Sequence, residues 1–345
     1  MGEPSAHPVL SVIIAHHKGR RFIDACLHSI RASVFSLPFE VIVVTSAEGP
    51  DRDFWEEGLD LHKLTGPPGP AGKRNLGVQY AKGNIIVFLD DDTEVSPYTL
   101  YEFYHGFQAL PAAGMLFARI YNAERRQELD DCGSWLTWTG FLYARASRLH
   151  LPLEELMRPT RCLASKSAGC TIRREVFYHA GGFDPDYFIL GEETDLAWRV
   201  WLRGYEVWYW PPAVLWHWFN TGAKPVTDYY TLGRIHTRGC HNYLRLLTTN
   251  LGLVSLLRTL PWHLLGWAVA ALGFLARGQP QRAQAIGQGF VDYLRTLPAT
   301  LTKRRRVQTM RRRSDKELFT HARLRVPWSY YLKRMTQYWF NPLHG

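Results

Sequence analysis

The sequence predicts an α/β protein: a mixed, mostly parallel sheet flanked by helices, followed by a helical, basic C-terminal region. Three observations carry the prediction. Apolar runs of strand length alternate with helical stretches through the first third of the chain, the rhythm of βαβ units. One such run, NIIVFL, ends on three consecutive aspartates, Asp90, Asp91 and Asp92, at the strand end where ligands bind in such sheets. Past about residue 225 the apolar and charge patterns change together, so a catalytic domain is expected over 1–225 and a helical tail over 226–345.

The 345 residues are 46% hydrophobic and 21% charged, which excludes a disordered chain. Aromatic residues make up 14%, with 13 Trp, and suit a sugar-stacking surface, a membrane interface or an aromatic core. The cysteines, Cys26, Cys132, Cys162, Cys170 and Cys240, are scattered, odd in number and form no CxxC pair. That argues against a disulfide framework or a thiolate zinc site and for a reducing compartment. The apolar run Val9–Ala15 is short, follows Pro8 and meets HHKGRR, so it reads as a strand and not as a signal peptide.

The elements follow in order. PVLSVIIAHHKG is a buried strand and a loop. RRFIDACLHSIRAS spaces Phe22, Cys26, Leu27 and Ile30 along one helix face. Val41–Val44 forms a second strand, and a Pro/Gly loop gives way to a helix from about Lys73. NIIVFLDDD is the third strand, and SPYTLYEFYHGFQAL a helix with Ser96 as N-cap and Pro97 at its first position. MLFARIYN reads as a strand, residues 130–150 as an aromatic loop, and SKSAGCTIRREVFYHAGGF as a strand leading into a helix. A further helix carries Leu196, Ala197 and Val200 on one face and ends at Gly204; short strands Val207–Tyr209 and Val214–Trp216 flank Pro211-Pro212.

The net charge is +10, and residues 301–345, with 12 Lys and Arg against Asp315 and Glu317, account for all of it. The longest uninterrupted apolar part, Leu264–Ala276, is 13 residues, short of the roughly 20 that a span needs. It reads as an interfacial or re-entrant helix, or as a buried one. Lys303–Arg313 follows, with seven cations in eleven residues. Basic charge beside an apolar helix predicts attachment to an anionic membrane surface. Nucleic acid ranks below it, because no base-stacking module surrounds the run.

Four features carry chemistry. Asp90 and Asp92, alternating at a strand end, can share a hard cation such as Mg²⁺ or Mn²⁺. Lys73, Arg74 and Asn75 at a helix start can face a diphosphate, or simply cap the helix. Glu192, Glu193 and Asp195 lie just after Gly191 at another helix N-terminus, where the dipole favours an anion that can act as a general base. His217, after the strand VLW, gains meaning only in their company.

The sequence resembles family 2 glycosyltransferases with the GT-A fold over about residues 8–220. The likeness rests on VLSVIIA, AGKRNLGVQYAKGNIIVFLDDD, SAGCTIRREVFYHAGGFDPDYFILGEETDLAWRVWLRGYEV and AVLWHW, in order. More loosely, the C-terminal region looks like the tails of bacterial members that build cell-surface polysaccharides. The resemblance implies that Asp90 and Asp92 bind the metal and the donor diphosphate, with Asp91 and Lys73, Arg74 and Asn75 on the donor side, and that His217 adds a metal contact. It puts Glu193 at the catalytic-base position, with Glu192 beside it or in its place. Asp195, Asp184, Trp135 and Trp138 fall on the acceptor side, although core packing accounts equally for the Trp pair. Thr45 and Ser46 hold the place of the family's usual Asp after the second strand, so Glu48 or Asp51 would have to substitute.

The expected activity is an inverting, metal-dependent hexosyl- or deoxyhexosyltransferase, moving sugar from a nucleotide-diphosphate donor to a glycan or lipid-linked acceptor. The expected location is cytoplasmic, peripheral at the inner face of the cell membrane. A polyprenyl-phosphate sugar synthase or a non-catalytic sugar- or nucleotide-binding relative is the alternative.

Overall fold

The computed structural model describes residues 7–47, 54, 56–147, 152–218 and 234–340. Glu48, Asp51 and the expected boundary at 225–226 lie outside them. In chain order the elements are β1 (Leu10–Ala15), α1 (Arg20–Arg31), β2 (Phe39–Ser46), β3 (Leu61–Gly66), α2 (Pro70–Tyr80), β4 (Ile85–Asp90), β5 (Thr93–Val95), α3 (Thr99–Ala109), β6 (Ala113–Asn122), β7 (Leu129–Asp131), β8 (Ser134–Thr137), β9 (Leu142–Ala144), α4 (Leu153–Met157), β10 (Thr160–Arg161), β11 (Gly169–Arg173), α5 (Arg174–Ala180), α6 (Glu192–Leu202), β12 (Glu206–His217), α7 (Arg234–Asn250), α8 (Leu253–Leu275), α9 (Pro280–Thr309), α10 (Asp315–Ala322), β13 (Arg323–Leu324) and α11 (Trp328–Phe340). They fall into two compact units, 1–134 with 144–221, and 135–143 with 222–345.

The first unit is built on a mixed, mostly parallel sheet in the order β10-β12-β6-β11-β4-β1-β2-β3, with β5 and β7 attached to β12 and β6. Its centre is β1, buried along its whole length between β2 and β4 and parallel to both. The apolar character of these three strands follows from that double-sided burial. Strand β11 runs antiparallel between β4 and β6. Helix α2 packs closely on β1: a Cβ on Gly77 would stand 2.5 Å from Ile13 Cγ2, so a glycine is required there.

Several expectations change in detail. Helix α2 starts at Pro70, not near Lys73, because proline suits the first helical position. Helix α3 starts at Thr99, and Ser96 lies in the preceding turn, its carbonyl accepting from Thr99 N at 3.0 Å. The two short strands around Pro211-Pro212 are one strand, β12, whose pairing with β6 shifts between Tyr209 and Val214. A proline cannot donate to the ladder, so an irregularity there is the expected cost. Residues 130–150 contain β8 and β9 and the end of β7.

In the second unit, β13 pairs with β8 at Leu136 and Thr137. Cys240, Leu244, Trp267, Ala270, Phe274, Ile286 and Tyr293 form a core among α7, α8 and α9. Segment 135–143 joins this unit because Trp138 enters an aromatic cluster and Phe141 packs on the core. Helix α8, at 23 residues, is longer than its apolar run and continues through Pro261. It is long and apolar enough to cross a membrane by length and composition. Its Leu253, Val254, Leu257, Leu265 and Leu272 are each more than half exposed.

Candidate active site

The registers of three strands assemble the site at the carboxyl end of the sheet. Ala15 of β1 pairs with Asp90 of β4, so the turn Asp90-Asp91-Asp92 lies level with the loop His16-His17-Lys18. At the other side, β12 pairs His217 with Thr93 of β5, and Trp218 N donates to Asp92 O at 2.9 Å. Residues separated by more than a hundred positions meet for this reason alone.

The three aspartates are buried or half-buried and point to different partners. Asp90 Oδ1 accepts from Arg74 Nη2 at 2.5 Å. Asp91 Oδ2 is turned toward the β1 loop, where it meets His16 Nδ1 at 2.7 Å and accepts from His17 N at 2.6 Å and Lys18 N at 2.5 Å. Asp92 Oδ2 accepts from Lys18 Nζ, and its Oδ1 lies 3.5 Å from His217 Nε2. On its other side, His217 Nδ1 lies 3.1 Å from Asp130 Oδ2, and Asp130 Oδ1 accepts from Lys166 Nζ at 2.6 Å. Burial alone would lower the His217 pKa and raise that of Asp92. The ion pair between them, joined by Lys18 on Asp92 and by Asp130 on His217, outweighs both effects, holding His217 up at about 9 and Asp92 down at about 2.

Asp90, Asp92 and His217 each offer one ligand atom, and these atoms lie within 4.8 Å of one another. Two carboxylate oxygens and one imidazole nitrogen on rigid strand ends are a donor set suited to Mg²⁺ or Mn²⁺.

Helix α2 supplies the cationic wall. Lys73 and Arg74 are both buried. Lys73 Nζ donates to His16 O at 2.5 Å, and burial lowers its pKa. Arg74 bridges Asp90 to Glu192, whose Oε1 is 3.4 Å from Nη1. Asn75 spends its amide on the backbone of Phe183, donating to the carbonyl at 2.8 Å and accepting from the N–H at 2.9 Å. It therefore ties α2 to the loop that precedes α6.

Glu192 and Glu193 open α6 after Gly191, whose φ is 97°. Phe188 and Leu190 in the same loop also hold positive φ, 57° and 69°. Non-glycine residues in that region store strain, a pattern that clusters at functional sites. Glu192 is buried, and its Oε2 finds no hydrogen-bond partner among the described residues. Glu193 Oε1 accepts from Thr194 Oγ1 at 3.1 Å. Its carboxyl is raised well above the ordinary value, by burial first and by Glu192 second.

The remaining expected residues have partners of their own. Asp195 is buried, and its Oδ2 accepts from Arg199 Nε at 2.9 Å and Nη2 at 2.7 Å, an ion pair internal to α6. Asp184 accepts from Asp186 N at 3.1 Å and starts a short 3₁₀ turn. Trp135 and Trp138 belong to the second unit. Trp135 is buried in β8, and Trp138 stacks edge-on against Trp262 and Trp328. Sequence reasoning missed His16, Lys18 and Asp130. The one available signal was the basic tripeptide His16-His17-Lys18 at the end of a buried strand.

Residues 11–164 match the family model described as glycosyl transferase family 2. The O-antigen biosynthesis protein RfbC of Myxococcus xanthus is 28% identical over 214 residues, 58% of this chain; the chain spans 16% of that relative's length. The crystal structure of GalNAc-T7 with UDP, GalNAc and Mn²⁺ is similar at TM-score 0.54 and 18% identity, over 70% of this chain and 49% of that one. The mannosyltransferase PcManGT from Pyrobaculum calidifontis, in complex with GDP-Man and Mn²⁺, gives TM-score 0.49 and 17% identity over 85% of this chain and 88% of that one. At 18% identity the likeness to GalNAc-T7 speaks for the fold alone, which is the mixed α/β GT-A type. The stretch that matches glycosyl transferase family 2, residues 11–164, includes the β1 loop, the α2 cations and the three aspartates.

Proposed function

We propose that the protein is an inverting glycosyltransferase that takes a sugar from a nucleotide diphosphate and delivers it to a hydroxyl of a glycan or lipid-linked acceptor. The observation that carries this reading is the convergence of Asp90, Asp92 and His217 on one point, with Arg74 linking Asp90 to the Glu192-Glu193 helix start. GalNAc-T7, which shares the fold, is solved with UDP and Mn²⁺. The relative's role in O-antigen biosynthesis supports a cell-surface polysaccharide as product.

Asp90, Asp92 and His217 would hold the divalent ion, which supplies positive charge against the leaving diphosphate. Lys73 and Arg74 add fixed positive charge on the same side. Glu193 accepts the proton of the acceptor hydroxyl. The hydroxyl oxygen then bonds to the anomeric carbon as the bond from that carbon to the diphosphate oxygen breaks, with inversion. A raised pKa suits a carboxyl that must take up a proton. Glu192 orients the helix start through Arg74. Asp91, Asn75 and Asp195 are positioning residues in this reading: Asp91 shapes the β1 loop, Asn75 the loop before α6, and Asp195 anchors α6. Asp184 stays on the acceptor side of the proposal.

The exposed apolar face of α8 and the basic run on α9 support peripheral attachment to an anionic membrane, which would present a lipid-linked acceptor. A panel of nucleotide sugars with Mn²⁺ or Mg²⁺ tests the proposal. Release of the nucleotide diphosphate with one sugar and not the others is the expected result. No turnover and no binding of any donor would contradict it.

A further inference from the structure

A second cluster of ligating side chains lies at the opposite end of the same sheet. Glu40 of β2, Asp60 just before β3 and His62 within β3 offer one atom each, all within 4.8 Å. Register places them at the amino end: Ser11 pairs with Glu40 and Ile86, whereas Ala15 pairs with Asp90. Four residues of strand, about 13 Å, separate that level from the aspartate turn.

Glu40 is 1% exposed and its two oxygens differ. Oε1 accepts from Ser11 Oγ and from Lys82 N, both at 2.6 Å, and so holds the turn before β4. Oε2 is buried and, among the described residues, lacks a hydrogen-bond partner; His62 Nε2 is buried and lacks one too. These two atoms face each other at 3.6 Å, and Asp60 Oδ1 stands 3.2 Å from the same nitrogen. A protonated His62 has one Nε2–H and cannot serve both carboxylates, and neither contact meets hydrogen-bond geometry. Ligand atoms of a tetrahedral ion with bonds of about 2.0–2.2 Å lie about 3.3–3.6 Å apart. The two observed separations bracket that range. Asp60 and His62 are part-exposed, which leaves a path for the ion and for a water as fourth ligand.

We propose that Glu40, Asp60 and His62 bind a zinc-class transition ion that staples the edge strand β3 to β2. The donor types match those of Asp90, Asp92 and His217, but no substrate diphosphate completes an oxygen shell here; the tetrahedral spacing and the imidazole then favour Zn²⁺, Co²⁺ or Ni²⁺ over Mg²⁺ or Ca²⁺. The ion is structural: binding to the folded chain alone raises the melting temperature as its concentration rises. The site is independent of the glycosyl-transfer reading.

The test uses the full chain, stripped with a chelator, in the Asp92→Asn background so that the other cluster does not compete. Zn²⁺ binding is measured by calorimetry, and Tm with and without Zn²⁺. One equivalent should bind and raise Tm. His62→Ala and, separately, Asp60→Asn should keep the chelator-state Tm within a few degrees. Each should weaken Zn²⁺ by at least the roughly tenfold that loss of even an outer-shell partner costs, and shrink the Tm rise at a given Zn²⁺ concentration to match. Zn²⁺ binding of unchanged affinity in both variants would overturn the proposal, as would no Zn²⁺ binding by the parent.

Discussion

Lys18 and Asp92 are joined by an ion pair from the lysine Nζ to Asp92 Oδ2, across 74 positions of chain. The ammonium stands on a carboxylate that also belongs to the candidate metal cluster. A cation and a divalent ion repel one another at that distance. Lys18→Met should therefore tighten Mn²⁺ binding by about tenfold, 1.4 kcal/mol, as read by calorimetry or by the electron-spin signal of free Mn²⁺. Unchanged or weaker binding would show that Lys18 does not compete.

Arg74 is 1% exposed and is the shared partner of Asp90 and Glu192. Removing it strands two carboxylates, and breaking a buried pair costs about 3–5 kcal/mol. Arg74→Ala should lower the unfolding free energy, measured by denaturant titration, by an amount in that range, and Arg74→Lys by less. An Arg74→Ala protein as stable as the parent would mean that the bridge contributes nothing.

Asp91 gathers the backbone N–H groups of His17 and Lys18 on one oxygen. Asp91→Ala leaves both part-buried donors short of an acceptor, at up to about 1–3 kcal/mol each. The expected signature is a loss of stability together with a raised KM for donor sugar. Raised KM without destabilisation would point instead to direct donor contact.

Glu193 gives a pH prediction. Its carboxyl lies well above the ordinary 4.5, and a base acts only when deprotonated. The rate kcat/KM should therefore rise with pH through a value above the ordinary carboxylate range, and fall as pH drops below it. Glu193→Gln should remove this limb and cost roughly 10²–10⁴-fold in turnover while donor binding persists. Full activity in that variant would pass the role to Glu192.

How far the sequence foretold the site depends on how its residues are paired. β1, β2 and β4 were legible because burial on both faces demands unbroken apolar runs. Asp90 and Asp92 were legible because alternate residues at a strand end share a side. β3, with the sequence LHKLTG, was not: an edge strand is half-buried and keeps polar residues. Lys18 and Asp130 were not, because their roles arise from contacts made across 74 and 87 positions. Asp195 looked like a ligand-facing acid, yet Arg199 four positions on already claims it, a pairing that helical spacing alone could have suggested. Trp138 looked like a sugar platform, but its ring contacts are other aromatic residues.

The most direct measurement is an anomalous-scattering map from a crystal soaked with Mn²⁺ and a nucleoside diphosphate. The account predicts a Mn²⁺ peak bounded by Asp90, Asp92 and His217, with the diphosphate between that peak and Arg74. A diphosphate bound elsewhere, with no peak among those three side chains, would contradict it.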